Sequence, residues 1–307
     1  MIITVTLNAA LDLTYTVPSL TPHATHRVTE VAERPGGKGV NVARVLAALG
    51  HAVTVTGFAG GATGGTLRDH LARTPGVTDA LCAVAGATRR TLAVVDARTG
   101  DTTQLNEPGP TVTPDEWAAF LDAYDALVRG AGVAAVALCG SLPPGVPVGA
   151  YALLVRAARA AGVPVLLDTS GEPLRRGVAA RPDVVKPNAE ELAELTGAHE
   201  PSRATRDARR RGAHAVVASL GAEGLLAVTP EGTWRAVPPG VVRGNPTGAG
   251  DSAVAGLLSG LVEGLSWPDR LARAVALSAA TVAARTAGEY DPRAYADTLP
   301  KVTLTPS

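Results

Sequence analysis

From Pro114 to Ser219, short apolar runs alternate with segments of helical periodicity, and this alternation constrains the fold more than any other feature. The spacing predicts helix over Asp115 to Val128, strand over Val133 to Leu138, helix over Val148 to Ala161 and strand over Val163 to Asp168. A strand at Val184 to Val185, a helix over Ala189 to Thr196 and a strand over Ala215 to Ser219 continue the series. Strands this apolar, joined by helices, form a parallel sheet covered on both faces.

The flanking regions extend the pattern and interrupt it. Ile2 to Leu7 reads as a strand, Gly39 to Leu49 as a helix stopped by Gly50, Val53 to Gly57 as a strand and Thr66 to Arg73 as a helix. Near the C-terminus come a hairpin, Leu225 to Val228 with Thr233 to Val237, and helices over Ala249 to Val262 and Pro268 to Arg285. Two β-rich pieces, around residues 8–35 and 88–108, do not fit the alternation. The first holds strand-like runs at Leu13 to Val17 and Arg27 to Ala32; the second reads as a hairpin, Thr91 to Asp96 with Thr102 to Leu105. They are expected to form one small sheet beside the main one. With no fixed-period repeat and no long linker, residues 1–307 read as a single α/β domain.

Composition narrows the function. The 28 basic and 28 acidic residues give a formal net charge of +0, which argues against a nucleic-acid binder or an acidic tail protein. The two cysteines, Cys82 and Cys139, lie in apolar runs without a CxxC or nearby His, so neither a disulfide framework nor a structural zinc site is expected. The longest apolar runs, such as Val133 to Cys139, fall far short of the roughly 18 residues of a membrane span. The protein is expected to be cytoplasmic, without nucleic-acid or membrane partners.

Ligands of an open parallel sheet sit beyond the carboxyl ends of its strands. Those ends read Cys139-Gly140-Ser141, Asp168-Thr169-Ser170, Lys186-Pro187-Asn188 and Ser219-Leu220-Gly221, which brings polar groups from four strands to one rim. The sharpest element is Asn245-Pro246-Thr247-Gly248-Ala249-Gly250-Asp251-Ser252 before an apolar helix. Small residues at a helix N-terminus let backbone N–H groups approach an anion, and the helix dipole favours negative charge there. Asp251 lies in the first turn, where a carboxylate accepts the proton of an attacking hydroxyl; alone it also reads as an ordinary first-turn acid. Gly36-Gly37-Lys38-Gly39-Val40-Asn41 is a second glycine-rich helix start, without the Ser or Thr of a Walker A loop. Asn188 and Glu191, three apart, read either as a capping pair or as a pair orienting hydrated Mg²⁺. His23 and His26 lack a third ligand and read as surface.

These motifs, in this order and over nearly the whole chain, resemble the ribokinase-like (PfkB) carbohydrate kinase family. Thr6-Leu7-Asn8-Ala9-Ala10-Leu11-Asp12, Gly36 to Arg44, Leu105 to Pro110, Gly140 to Gly145 and Asp168 to Glu172 are similar to its phosphosugar branch. The resemblance implies an open, mostly parallel sheet sandwiched by helices, with the β-rich pieces as a small β-sheet lid that pairs with a second subunit in a homodimer. It implies Asp251 as catalytic base and the amides of Gly248, Ala249 and Gly250 as an anion hole. Asp12, Gly37, Lys38, Asn41 and Ser141 would hold the sugar; Arg27 and Arg89 would hold its phosphate, with Arg90 as a possible substitute. Lys186, Ser219, Gly221 and Gly224 would line the ATP site, and Asn188 with Glu191 would meet Mg²⁺ through water. The implied reaction is ATP plus fructose 1-phosphate giving ADP and fructose 1,6-bisphosphate. Tagatose 6-phosphate or fructose 6-phosphate is the alternative substrate, and a non-catalytic sugar or nucleotide sensor is the alternative from another class. Ala9 stands where the branch usually has Pro, and Thr91 where a related pattern has Asn, near the expected phosphate site.

Overall fold

The structure, a computed structural model, describes residues 1–242, 244–284 and 289–306. Strand β1 (Ile2–Thr6) leads to β2 (Ala10–Val17) and β3 (Glu30–Gly36), then to helix α1 (Lys38–Ala48), β4 (Val53–Ala59) and α2 (Gly61–Ala72). Short strands β5 (Val77–Asp79) and β6 (Cys82–Ala83) precede the hairpin of β7 (Arg89–Asp96) and β8 (Thr102–Asn106). Then come α3 (Pro114–Val128), β9 (Ala135–Cys139), α4 (Ala150–Ala160), β10 (Val165–Asp168), α5 (Gly171–Ala179) and β11 (Val184–Val185). After these follow α6 (Ala189–Thr196), α7 (Pro201–Arg210), β12 (Ala215–Ser219), β13 (Leu225–Val228) and β14 (Thr233–Val237). The chain closes with α8 (Ala249–Val262), α9 (Trp267–Ala283), α10 (Pro292–Thr298) and β15 (Thr303–Pro306).

The main sheet runs in the order β15-β14-β13-β12-β11-β10-β9-β1-β4-β5. It is parallel from β12 through β5 and antiparallel at the β13, β14, β15 edge. Successive strand residues face opposite sides of the sheet, and each side has its own core. Ile2, Ala135, Ala137 and Leu166 pack with α1, α8 and α9. Their neighbours Ile3, Val136, Leu138 and Leu167 pack with α3, α4 and the helices that follow. That double burial is why the strands read as continuous apolar runs. Among the described residues no helix is long and apolar enough to cross a membrane.

The β-rich pieces form one four-stranded sheet, β3-β2-β7-β8, in which β2 runs parallel to β7. It stands beside the main sheet as expected from the two sequence segments.

Several elements differ from the sequence reading. The first strand ends at Thr6, and Arg27 lies before β3, which starts at Glu30. Helix α2 begins at Gly61 and not Thr66, because the glycine-rich segment is pinned to residue 88: Gly60 N donates to Thr88 Oγ1 at 3.0 Å and Thr63 Oγ1 to Thr88 O at 2.6 Å. Helices α5, α7 and α10 and strand β15 carry few large apolar residues. On α7 only Ala204, Thr205 and Ala208 are buried, all small, so the pattern is faint in the sequence. Arg285, the expected end of the last long helix, lies outside the described residues.

Candidate active site

Helix α8 starts after Gly248, whose φ of 84° lies in the left-handed region where a side chain is strained. The helix is buried continuously from Asp251 to Gly260 against α1, α9 and the sheet, which explains its run of Ala, Gly, Ser and Leu. Among the described residues the Ala249 N–H donates to Pro246 O at 3.1 Å, while those of Gly248, Gly250 and Asp251 have no acceptor. The open donors at this N-terminus are therefore the flanking glycines and Asp251, and the Ala249 amide is turned back on its own loop.

Asp251 is only 7 % exposed, and its Oδ2 accepts from Asn41 Nδ2 at 2.9 Å. Burial, reinforced by the Asp168 charge, raises its carboxyl to about 6 against the opposing pull of Asn41, Lys38 and Lys186. Asp168, 1 % exposed at the end of β10, sits with Oδ1 at 3.3 Å from Lys38 Nζ and 3.7 Å from Lys186 Nζ. Among the described residues its Oδ2 has no hydrogen-bond partner. Burial by itself lowers the Lys38 ammonium, but Asp168, Asp251 and Glu191 outweigh it and hold Lys38 above its ordinary range. Two carboxylates and two ammonium groups thus meet at the rim, Asp168, Asp251 and Lys186 buried and Lys38 partly exposed.

The small sheet closes the other side. A polar cavity of about 360 Å³ lies between the two sheets, with Asp12, Arg89, Thr91, Gln104 and Asn106 on one wall and Gly37, Lys38, Asn41, Asp168 and Asp251 on the other. Thr91 Oγ1 donates to Asp12 Oδ1, and Arg89 Nε and Nη1 donate to the Asn8 and Glu107 carbonyls at 3.2 and 3.1 Å. Burial raises the Asp12 carboxyl despite Thr91, Arg89 and Arg44. A Cβ on Gly36 would lie 2.1 Å from the Asp12 carboxyl, so a larger residue there would displace Asp12 from the cavity wall. Arg90 points away from the cavity and pairs with Glu107 at 3.4 Å.

A second, more apolar cavity of about 690 Å³ adjoins the first. Ser219, Gly221, Gly224, Val241, Ala253 and Val275 line part of it, and Asn188, Ser219 and Gly250 border both cavities. Lys186, 4 % exposed, belongs to the polar cavity. Asn188 and Glu191 form a reciprocal capping box on α6: Asn188 Oδ1 accepts from Glu191 N and Glu191 Oε2 from Asn188 N, each at 2.8 Å. Among the described residues no group of three His, Cys, Asp or Glu side chains is placed to hold a metal ion.

The structure brings together Asp12, Gly37, Lys38, Asn41, Arg89, Lys186, Asn188, Glu191, Ser219, Gly248, Gly250 and Asp251, all singled out in the sequence. It does not bring in Arg27, which is exposed on the loop before β3. Ser141 is also outside the cavity lining; its Oγ accepts from Asn8 Nδ2 at 3.1 Å. The sequence reading placed Asp168 on the rim and Asn106 in a family motif without giving either a role, and it did not single out Gln104. Asp168 had a signal, as an acid closing an apolar strand at the rim. Gln104 and Asn106 had a fainter one, the period-two alternation of β8, with Leu105 between them 58 % exposed.

The whole chain superposes on solved kinases. The crystal structure of phosphofructokinase-2 from Escherichia coli in complex with fructose-6-phosphate matches with a TM-score of 0.89 at 31% identity, over 97% of this chain and 98% of that one. A possible 1-phosphofructokinase from Thermotoga maritima matches with a TM-score of 0.88 at 27% identity, over 100% and 99% of the two chains. Fold and site together define a ribokinase-like α/β kinase. The family model for pfkB family carbohydrate kinases matches residues 4–293, and the chain belongs to that family. Curated relatives named 1-phosphofructokinase are 42% identical over 288 residues in Rhodobacter capsulatus (91% of this chain, 90% of the relative) and 40% identical over 280 residues in Xanthomonas campestris pv. campestris (88% and 87%).

Proposed function

We propose that the protein transfers the γ-phosphoryl group of ATP to the 6-hydroxyl of fructose 1-phosphate, giving ADP and fructose 1,6-bisphosphate. The observation that carries this reading is the position of Asp251. It is buried, aimed into the polar cavity, and set at the helix N-terminus that separates that cavity from the apolar one. The relatives that share 40% and 42% identity support the choice of sugar phosphate.

With its carboxyl near 6, Asp251 is mostly ionised at neutral pH yet basic enough to accept the proton of the 6-hydroxyl. Asn41, hydrogen-bonded to Oδ2, fixes which oxygen faces the substrate. As that hydroxyl attacks in line, the Gly248 and Gly250 amides and the α8 dipole stabilise the transferring phosphoryl oxygens. Lys186 adds a nearly desolvated positive charge. The sugar lies over Gly37 and Lys38 with Asp12 reaching a hydroxyl, and Arg89 takes the phosphate it already carries. The adenine end of ATP takes the apolar cavity by Gly221 and Gly224. The small sheet excludes water, which would otherwise hydrolyse ATP.

Asn188 and Glu191 fit a Mg²⁺ held through water, not directly. Their facing oxygens are committed to the capping box, Glu191 Oε1 remains, and no all-protein cage of acids exists among the described residues. Mg²⁺, bound with ATP, would neutralise charge on the phosphates.

The small sheet is also the proposed homodimer surface. Strands β3 and β8 are its free edges, and Val31 (62 % exposed) and Leu105 (58 %) lie on them. Light scattering giving a dimer at micromolar concentration supports this, and a monomer overturns it.

Purified protein with Mg·ATP and a panel of fructose 1-phosphate, fructose 6-phosphate and tagatose 6-phosphate, read by ADP release, tests the substrate. Fructose 1-phosphate should give the highest kcat/KM. Preference for a 6-phosphate sugar overturns the choice of substrate, and no turnover on any of the three favours a sensor.

A further inference from the structure

Strands β10, β11 and β12 carry the candidate active site at their C-terminal ends. At the opposite ends lies a separate cavity of about 500 Å³ lined by Arg159, Arg181, Arg209, Arg210 and His214, with no carboxylate in its wall among the described residues. Arg159 comes from the last turn of α4, Arg209 and Arg210 from the last turn of α7, Arg181 from the turn before β11 and His214 from the turn before β12.

Three of the four guanidinium groups are held in place by one N–H each, leaving others free. Arg159 Nη1 donates to the Arg181 carbonyl, and Arg209 Nε donates to the His214 carbonyl at 2.9 Å. Arg210 pairs with Asp207, which lies outside the cavity wall. Among the described residues the Arg181 guanidinium has no ion-pair or hydrogen-bond partner. Arg181 also adopts φ 64°, a left-handed conformation that a non-glycine residue takes at a cost. The helix C-termini favour cations and so stabilise Arg159 and Arg209 singly, but they supply no counterion to the group.

We propose that this cavity is a binding site for a small, multiply charged phosphate-bearing anion, separate from the active site. Arginine forks match phosphate oxygens two at a time, and the volume is that of a small-molecule site. A nucleic acid is disfavoured, because the cations are gathered in one recess on a chain of net charge +0 and do not run along a face.

The test is a calorimetric titration of inorganic tripolyphosphate into the full chain with the active site saturated by ADP. Arg181→Gly suits the left-handed backbone and removes one cation; Arg181→Gly with Arg209→Gln removes two. Binding should persist under saturating ADP, weaken about tenfold in the single variant and about a hundredfold in the double, the loss expected of one and two charge-assisted contacts. The kcat of Arg181→Gly should equal that of the parent, showing an intact fold. Tripolyphosphate binding abolished by ADP, or affinity within twofold of the parent in the double variant, overturns the proposal. So does a DNA duplex that binds the cluster more tightly than tripolyphosphate. Fructose 1,6-bisphosphate and inorganic pyrophosphate, titrated in parallel, separate a sugar phosphate from an inorganic occupant.

Discussion

Asn41 donates from Nδ2 to Asp251 Oδ2 at 2.9 Å, joining the start of α1 to the start of α8 across 210 residues of sequence. The bond favours the ionised carboxylate, against burial and the Asp168 charge, which favour the protonated form. The acidic limb of the kcat–pH profile should therefore fall near pH 6. Asn41→Ala should move that limb towards neutrality, so that kcat drops more at pH 6 than at pH 8. Rate profiles for both proteins check this, and an unmoved limb contradicts the role of Asn41.

Asp251→Asn should lower kcat by roughly 10²–10⁴-fold while ATP and sugar affinities stay nearly intact. Near-normal turnover would end the assignment of Asp251 as base. The same variant should be more stable at alkaline pH. The folded carboxyl, near 6, is raised above its ordinary 3.8, so the native state resists an ionisation that the unfolded chain accepts. The penalty is absent below the unfolded value, grows as pH rises between the two and is complete above about 6. Removing it should stabilise by up to about 3 kcal/mol at pH 8 and by almost nothing at pH 3. Thermal melts at the two pH values give the comparison.

Arg89→Ala should raise KM for fructose 1-phosphate by at least about tenfold with little change for ATP, since Arg89 lines the polar cavity alone. Arg90→Ala, facing Glu107, should be close to silent. Arg27→Ala should be silent in a monomeric site, because Arg27 is exposed outside the cavity. If Arg90→Ala proved the damaging change, the phosphate site would lie on the other face of β7.

Asp168→Asn should destabilise the protein and shift the acidic limb of kcat downward in pH, opposite to Asn41→Ala. Asp168 is the shared counterion of the partly exposed Lys38 and the buried Lys186, and its loss leaves Lys186 without its ion-pair partner; breaking a buried pair of this kind costs about 3–5 kcal/mol. It also removes the like charge that raises Asp251. Urea melts and pH–rate profiles read the two effects separately.

Cys139, buried beneath the site, has its thiol pushed well up by burial and then by the Asp168 and Asp251 charges; burial also raises Cys82. Mild alkylation of the native enzyme at pH 7.5 should leave activity unchanged, as measured by ADP release. Full inactivation would count against inert thiols.

The glycine-rich segments around Lys38 and Asp251 were legible because backbone N–H groups can approach an anion only where side chains are absent, and that requirement is written in consecutive residues. Lys186 and Ser219 were legible as the polar residues that end apolar strands. Arg27 lies exposed outside the cavity of the single chain, and one arginine in an exposed loop carries no local signal of what it faces. The Asn188–Glu191 spacing fitted both a cap and a metal shell, and the structure shows the cap.

Local sequence by itself determined the strand and helix alternation, the doubly covered parallel sheet and the helix N-terminus that bears Asp251, because periodicity and glycine placement act over a few residues. Only the tertiary structure decided that Asp168 lies between Lys38 and Lys186, that Asn41 reaches Asp251, and that β8 turns Gln104 and Asn106 into the cavity. Those relationships join residues on separate elements, 210 positions apart for Asn41 and Asp251, and their energies depend on burial and distance, which exist only once the two sheets and the helices are packed.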